Sequence, residues 1–251
     1  MGFKANRPVE TSLKTFEIIE RLREDGATGI TQLATELDVS KGIIHNHLST
    51  LRQIGYVVKI DDKYVLSSKA LRLGQSVRED FPVFQHGTDA ADLLAIESKT
   101  RVTLIGREAQ MGIILYDIGT QLVKNTEYNV GSILEPGMSP LTGLLLDQHE
   151  RAEQYSKYTI EHVGETTRKR PMLLGKSSAH DMFAGVAAPI YDMDQNPVGV
   201  IATHQNIKKA TRTTQEIITP TLNAAEQIET QLAVDWETSR TFATIKHNRL
   251  K

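Results

Sequence analysis

From Ser40 to Arg52 the chain sets Lys41, His45, Asn46, Ser49 and Arg52 along one side of a stretch whose other side is Ile44, Leu48 and Leu51. At helical periodicity these form two opposite faces, apolar inward and hydrogen-bonding outward. Such a face suits nucleic acid. An α-helix fits the DNA major groove and meets base edges with its N-terminal half; asparagine can bond an adenine edge twice, and arginine or lysine can take guanine or phosphate. Ser40 is placed to cap this helix. His45 and His47 point to roughly opposite sides and cannot share a metal, so the His45-Asn46-His47 run lacks the ligand set of an H-N-H nuclease. His45 is expected to face DNA and His47 a neighbouring helix.

The elements that position this face come before and after it. Leu13, Phe16, Ile19 and Leu22 recur at helical spacing and predict a first helix stopped by Asp25-Gly26. Ile30, Leu33, Ala34 and Leu37 predict a two-turn second helix starting near Thr31, and Asp38-Val39-Ser40 breaks the chain before the third. Gly55 ends the third helix. Tyr56 to Ile60 and Tyr64 to Leu66 then flank Asp61-Asp62-Lys63, the pattern of a hairpin. Three helices and a hairpin make a winged helix-turn-helix over residues 1–66, with Lys59 and Lys63 on the wing where phosphate contacts are expected. An interaction module with a solvated polar face is the alternative that any one of these helices would also fit. Thr31, Ser40, Lys41, Gly42, Ile43, His45, Asn46, Ser49, Arg52, Lys59 and Lys63 are the candidate DNA-facing residues.

Composition bounds the rest. The 251 residues carry 29 Lys+Arg against 31 Asp+Glu, a formal charge of −2, so overall basicity offers no sign of nucleic acid and only local placement does. With no cysteine there is no disulfide framework and no thiolate metal site. No apolar run approaches the roughly 20 residues of a membrane helix, and the N-terminal MGFKANRPVE has no signal-like core; a cytoplasmic protein without membrane contact is expected.

Ala70, Leu71, Leu73 and Val77 predict a linker helix within 67–82, broken by Pro82. Residues 83–235 read as an α+β domain: a helix around Ala91, Leu94 and Ala95, strands at Arg101–Gly106 and Met111–Tyr116, a second pair at Phe183–Tyr191 and Val198–His204, and a helix from Thr213 to Val234 interrupted by Pro220. The tail 236–251 reads as a flexible end, with exchange onto a partner or a place in the sheet as the alternatives.

The run from Val39 to Leu51, followed by Gly55-Tyr56-Val57, resembles the recognition helix of the IclR family of transcription regulators. Ser40, Lys41, His45, Leu48, Thr50, Leu51, Gly55 and Tyr56 match its S-K-S-T-V-H-R-L-L-x-T-L-x-x-x-G-Y pattern, whereas Gly42, Ile43 and Asn46 replace Ser, Thr and Arg. The departures lie on the reading end, so the operator sequence does not carry over. The likeness continues at Val130–Leu134 through Leu144–Leu146, similar to V-G-S-R-L-P-x-H-A-T-A-L-G-K-A-L-L, and at Gly185–Asp192, similar to C-I-A-A-P-V-F-D. It implies a GAF-like C-terminal domain that binds a small organic effector, often a carboxylate or aromatic acid, and a linker helix that contributes to dimer contacts. Double-stranded DNA with a pseudo-palindromic operator, an effector and a homodimer or tetramer are the implied partners; repressor and activator are not distinguished.

The candidate effector residues are Tyr116, Met138, Ser139, Gly185, Ala202 and His204. Ser139-Pro140 opens a short helix whose Leu141 and Thr142 amides could receive a carboxylate, unless Ser139 simply caps it. Gly185 in place of the family's Cys widens the expected pocket wall. Ala202-Thr203-His204 replaces a Ser-x-Ser pattern, and His204 could pair with a carboxylate. The stretch between Leu146 and Met182 is shorter than usual in the family and carries Arg168-Lys169-Arg170, with no clear counterpart to the family's acidic segment.

No enzyme is expected. The histidines lack metal spacing, and no H-E-x-x-H, G-x-S-x-G, Walker loop or dinucleotide fingerprint occurs, so no catalytic residue, metal or cofactor is assigned. Two functions compete: a regulator modulated by an effector, and a regulator whose C-terminal domain only assembles subunits or meets a protein.

Overall fold

The computed structural model describes residues 5–119, 129–136, 139–146, 158–162, 172–176, 183–206 and 213–249. The chain divides into two compact units, Met1–Val77 and Arg78–Lys251.

In the first unit α1 (Glu10–Asp25), α2 (Ile30–Glu36) and α3 (Lys41–Gln53) precede a hairpin of β1 (Val57–Ile60) and β2 (Lys63–Leu66), and α4 (Lys69–Glu79) begins. Ile18, Leu22, Leu33, Ile44, Leu48, Leu51, Val57 and Tyr64 form its core. The hairpin pairs Ile60 with Lys63 around Asp61-Asp62, with Asp61 in the left-handed region at φ 52°. Thr28 and Tyr64 exchange backbone bonds of 3.0 and 2.8 Å, which pins the hairpin to the segment entering α2.

One face of α1 differs from the expected stripe. Ile18 and Leu22 are buried, but Leu13 is 48% and Phe16 65% exposed. The buried stripe is rotated, because α2 and α3 meet α1 along its 18/22 side and leave Val9, Leu13 and Phe16 as a second apolar face. None of the residues of α4 is buried, and Leu71, Leu73 and Val77 are exposed.

In the second unit α5 (Pro82–Ser98) leads into a seven-stranded antiparallel sheet, ordered β5-β4-β3-β9-β8-β7-β6. Its strands are β3 (Arg101–Glu108), β4 (Met111–Ile118), β5 (Ile133–Leu134), β6 (Tyr158–His162), β7 (Met172–Lys176), β8 (Phe183–Tyr191) and β9 (Pro197–Asn206). One face packs on α5 and the long α7 (Thr214–Arg249) through Val102, Leu104, Ala188, Ile190 and Ile201. The other packs on the short α6 (Pro140–Leu145) through Ile105, Ile114, Ala187, Val200 and Ala202. Both hairpins expected from sequence are present, and the fold is α+β.

Two helical expectations change. Pro220 lies inside α7 without interrupting it; the Thr221 hydroxyl donates to the Ile217 carbonyl at 2.6 Å within the same turn. The segment from Trp236 to Arg249, expected to be a flexible end, continues α7.

Candidate nucleic-acid interface and sensor face

Helix α3 is built as its residue types require. The Ser40 hydroxyl accepts from the Ile43 amide at 3.3 Å, closing the N-terminal turn. Ile44, Leu48 and Leu51 are buried, and Lys41, Gly42, Ile43, His45, Asn46, Ser49 and Arg52 are all exposed, as is Thr31 on α2. His47 lies half-buried with Nδ1 2.8 Å from the Thr15 hydroxyl of α1. That hydroxyl also donates to the Thr11 carbonyl at 2.8 Å, so it accepts from the imidazole N–H. His45 and His47 therefore part company as their spacing requires. On the wing Lys59 pairs with Asp62 at 3.3 Å, and Lys63 is exposed.

The sensor candidates are not gathered in one place. Ala202 belongs to the core beneath α6, and His204, two residues further along β9, shares that face. Tyr116 is on the other face. It packs with the α5/α7 core, donates to Asp92 Oδ1 of α5 at 2.9 Å, and meets the Phe84 ring edge-on at 6.3 Å. Burial, reinforced by the Asp92 carboxylate, raises its phenol above the ordinary value. The physical cause of its placement is a β-bulge: β3 and β4 pair Ile105 with Ile114 but Leu104 with Tyr116, leaving Leu115 extra. One inserted residue exchanges the faces of everything beyond it.

Ser139, 2% exposed, spends its groups on its own helix. Its hydroxyl accepts from the Leu141 amide at 3.3 Å and its carbonyl from the Thr142 amide at 3.1 Å. The two amides offered above to a carboxylate are thus both paired. Gly185 does not widen a pocket wall: a Cβ there would fall on the Thr203 carbonyl oxygen, so the neighbouring strand already fills the space. The Thr203 hydroxyl joins the ladder here, accepting from the Val186 amide at 2.9 Å and lying 3.1 Å from its carbonyl. Met138 and Arg168-Lys169-Arg170 lie outside the described residues.

The α6 face instead carries a pair the sequence reading missed. Arg101 donates from Nε and Nη2 to both carboxylate oxygens of Asp117, each at 2.6 Å, with 12% and 21% of the side chains exposed. His204 is the β9 partner of Arg101. Burial first, and the guanidinium second, push the His204 imidazole down to about 4 against an opposing pull from Asp117, so it is neutral at pH 7. No signal in the sequence joins Arg101 to Asp117, because without the bulge they would lie on opposite faces. A cleft of about 680 Å³ opens elsewhere in this unit, lined by Phe81, Val83, Arg107, Pro197, Leu232 and Trp236, and contains none of the six candidates.

Among the described residues no group of three or more His, Cys, Asp or Glu could hold a metal, and no helix is long and apolar enough to cross a membrane.

Comparison with known proteins assigns residues 13–61 to the IclR helix-turn-helix domain. The chain is similar to a protein of Halobacterium salinarum named "Probable HTH-type transcriptional regulator ArcR", at 28% identity over 125 residues, 49% of this chain. That match spans 48% of the relative's own length. The fold is that of the Thermotoga maritima IclR crystal structure, with a TM-score of 0.67 at 17% identity, covering 89% of this chain and 98% of that one. It is shared by an IclR homolog from Microbacterium hydrocarbonoxydans solved in complex with 4-hydroxybenzoate, TM-score 0.66 and 14% identity over 88% of this chain and 98% of that one. The first of these is named a probable transcription regulator, and the other two an IclR protein and an IclR homolog.

Proposed function

With a DNA-binding helix-turn-helix domain of the IclR type over residues 13–61 and the IclR fold over most of its length as the premise, we propose that this chain is a transcription regulator that binds a pseudo-palindromic operator and answers to a small organic effector. The observation that carries the DNA reading is the division of α3: one stripe fully buried, the other wholly exposed and made of Lys41, His45, Asn46, Ser49 and Arg52. The N-terminal residues Gly42 and Ile43 leave backbone and an apolar side chain free to approach base edges, and Asn46 reads an adenine edge. Arg52, Lys59 and Lys63 take phosphates.

The operator is read by two copies. Val9 at the N-cap of α1, Leu13 and Phe16 on α1, and Leu73 and Val77 on α4 are large exposed apolar groups at helices whose other faces are polar or already packed. A second copy covers them, as a homodimer or within a tetramer. The protein works in the cytoplasm, where its operator is.

For the effector, support comes from the 4-hydroxybenzoate complex of the Microbacterium hydrocarbonoxydans homolog. An organic acid or a related small molecule sits on the α6 face, near Ser139, Ala202 and His204 and beside the Arg101–Asp117 pair. The effector acts by favouring one spacing of the two recognition helices, which requires different affinity for the two arrangements. Three observations favour a second reading, in which the sheet unit only assembles subunits: Tyr116 lies on the opposite face of the sheet from Ala202 and His204, the Leu141 and Thr142 amides beside Ser139 are already paired, and a Cβ at Gly185 would meet the Thr203 carbonyl.

The deciding experiment titrates the purified protein against the DNA upstream of its own gene, first with salt and then with candidate small acids. Specific binding that one acid releases or tightens supports the effector reading. Specific binding indifferent to every acid moves the case to assembly alone. Failure to bind that DNA specifically at any salt, with or without the acids, counts against the operator reading.

A further inference from the structure

Lys69 is the first residue of α4. Its ammonium donates to the Ile54 carbonyl at 2.7 Å and stands 4.8 Å over the Tyr56 ring. Ile54 is the C-cap of the recognition helix, where unpaired carbonyls and the negative end of the helix dipole favour a cation. The next carbonyl, of Gly55, accepts from the Ser67 hydroxyl at 2.5 Å, and that same hydroxyl accepts from the Lys69 amide at 3.1 Å. Gly55 itself sits at φ 81°, the left-handed turn that lets the Tyr56 amide reach back to the Leu51 carbonyl at 2.9 Å. Both carbonyls leaving α3 are therefore held by residues at the start of α4. Among the described contacts nothing else binds them.

We propose that Lys69 is a positioning residue for operator recognition: it ties the C-terminal end of α3 to the first turn of α4, so that the angle of the recognition helix follows the linker helix. It is not a phosphate ligand, although its charge and place in the chain would suggest one. Arg52 lies in the last turn of α3 and turns with it. In a dimer the two ties set the distance between the two reading faces, and a change in α4 reaches DNA through them. This rests on the dimeric operator reading for its consequence on DNA, and on the observed bonds alone for the tie.

Two measurements on the full-length protein separate these. The chain has no cysteine, so spin labels at Gln53→Cys and Ser76→Cys report the α3–α4 distance without further changes. The wild type and Lys69→Arg should give one narrow distribution and Lys69→Met a broad one. An unbroadened Lys69→Met overturns the tie, whatever the protein does with DNA. The second uses duplexes from the upstream region with the half-site spacer changed by one or two base pairs. Where the wild type favours one spacing by about tenfold, Lys69→Met should bind all spacings within about threefold, and Lys69→Arg should restore the preference. A uniform loss at every spacing would mean a merely structural lysine. A salt-dependence slope lowered by about 1 would mean a phosphate contact instead. If Lys69→Met does not fold, Ser67→Ala, which removes the Gly55 bond without touching charge, must broaden the distribution in the same direction or the tie is wrong. Absence of any specific DNA binding by the wild type would remove the operator reading and leave the distance measurement to judge the tie.

Discussion

At the scale of single residues, the proposed DNA-facing side of α3 holds groups expected to read bases and groups expected to hold phosphate. Asn46→Ala should relax preference at one base pair, costing about 1–3 kcal/mol there and little on other sequences; a binding titration over a set of single-base operator variants checks it, and an equal loss on every sequence would remove Asn46 from base reading. Arg52→Ala should instead weaken all sequences alike and lower the slope of log affinity against log salt by about 1. His204 bears on stability. Its folded value of about 4 lies below the ordinary 6.5, so the unfolded chain takes up a proton that the folded chain refuses. Stability is therefore full above pH 6.5 and falls as the pH drops from 6.5 towards 4. Urea unfolding of the wild type and His204→Gln should diverge in their pH slopes across that window, with the variant flatter; parallel slopes would mean the imidazole is not held neutral.

At the scale of elements, the β8–β9 contact at Gly185 and the β3–β4 bulge at Leu115 shape the sheet unit. A methyl group at Gly185 would occupy the place of the Thr203 carbonyl oxygen, a backbone atom that cannot rotate away. Gly185→Ala should cost on the order of 1–3 kcal/mol by forced strand separation, read as a lower unfolding midpoint, while the first unit stays folded. An unchanged midpoint would mean that the strands have slack here. Much of this architecture was legible beforehand. The three helices, the Ser40 cap, the wing and both hairpins followed from spacing, because each is built from contacts within a few residues or across one turn. The orientation of α1 was not: the spacing of Leu13, Phe16, Ile19 and Leu22 picks one stripe, whereas packing buries Ile18 and Leu22 and leaves Leu13 and Phe16 exposed.

At the scale of the whole molecule, those spare apolar residues carry the assembly prediction. Phe16 is 65% exposed and Leu73 58% exposed, more than a lone surface residue would require when its helical neighbours Leu13 and Val77 are exposed with it. Phe16→Glu together with Leu73→Glu should shift the sedimentation profile towards the monomer and lower operator affinity by at least about tenfold, since two half-sites then bind separately. A variant that still sediments as the wild type would place the interface elsewhere. Circular dichroism should remain unchanged, because neither side chain supports the core of its own unit.

What the amino-acid order determined by itself is the helix-turn-helix with its exposed polar face on α3 and the α+β character of the rest. A helix that must bury Ile44, Leu48 and Leu51 has no choice about where Asn46 and Arg52 go, and that geometry is local. Only the tertiary structure decided which residues share a face of the sheet. The extra residue at Leu115 sends Tyr116 to the helical layer and brings Asp117 round to Arg101. Alternation in a strand has a period of two, so a single unpaired residue inverts everything after it. Leu115 and Tyr116, both able to lie against either layer, leave no trace of that inversion in the sequence.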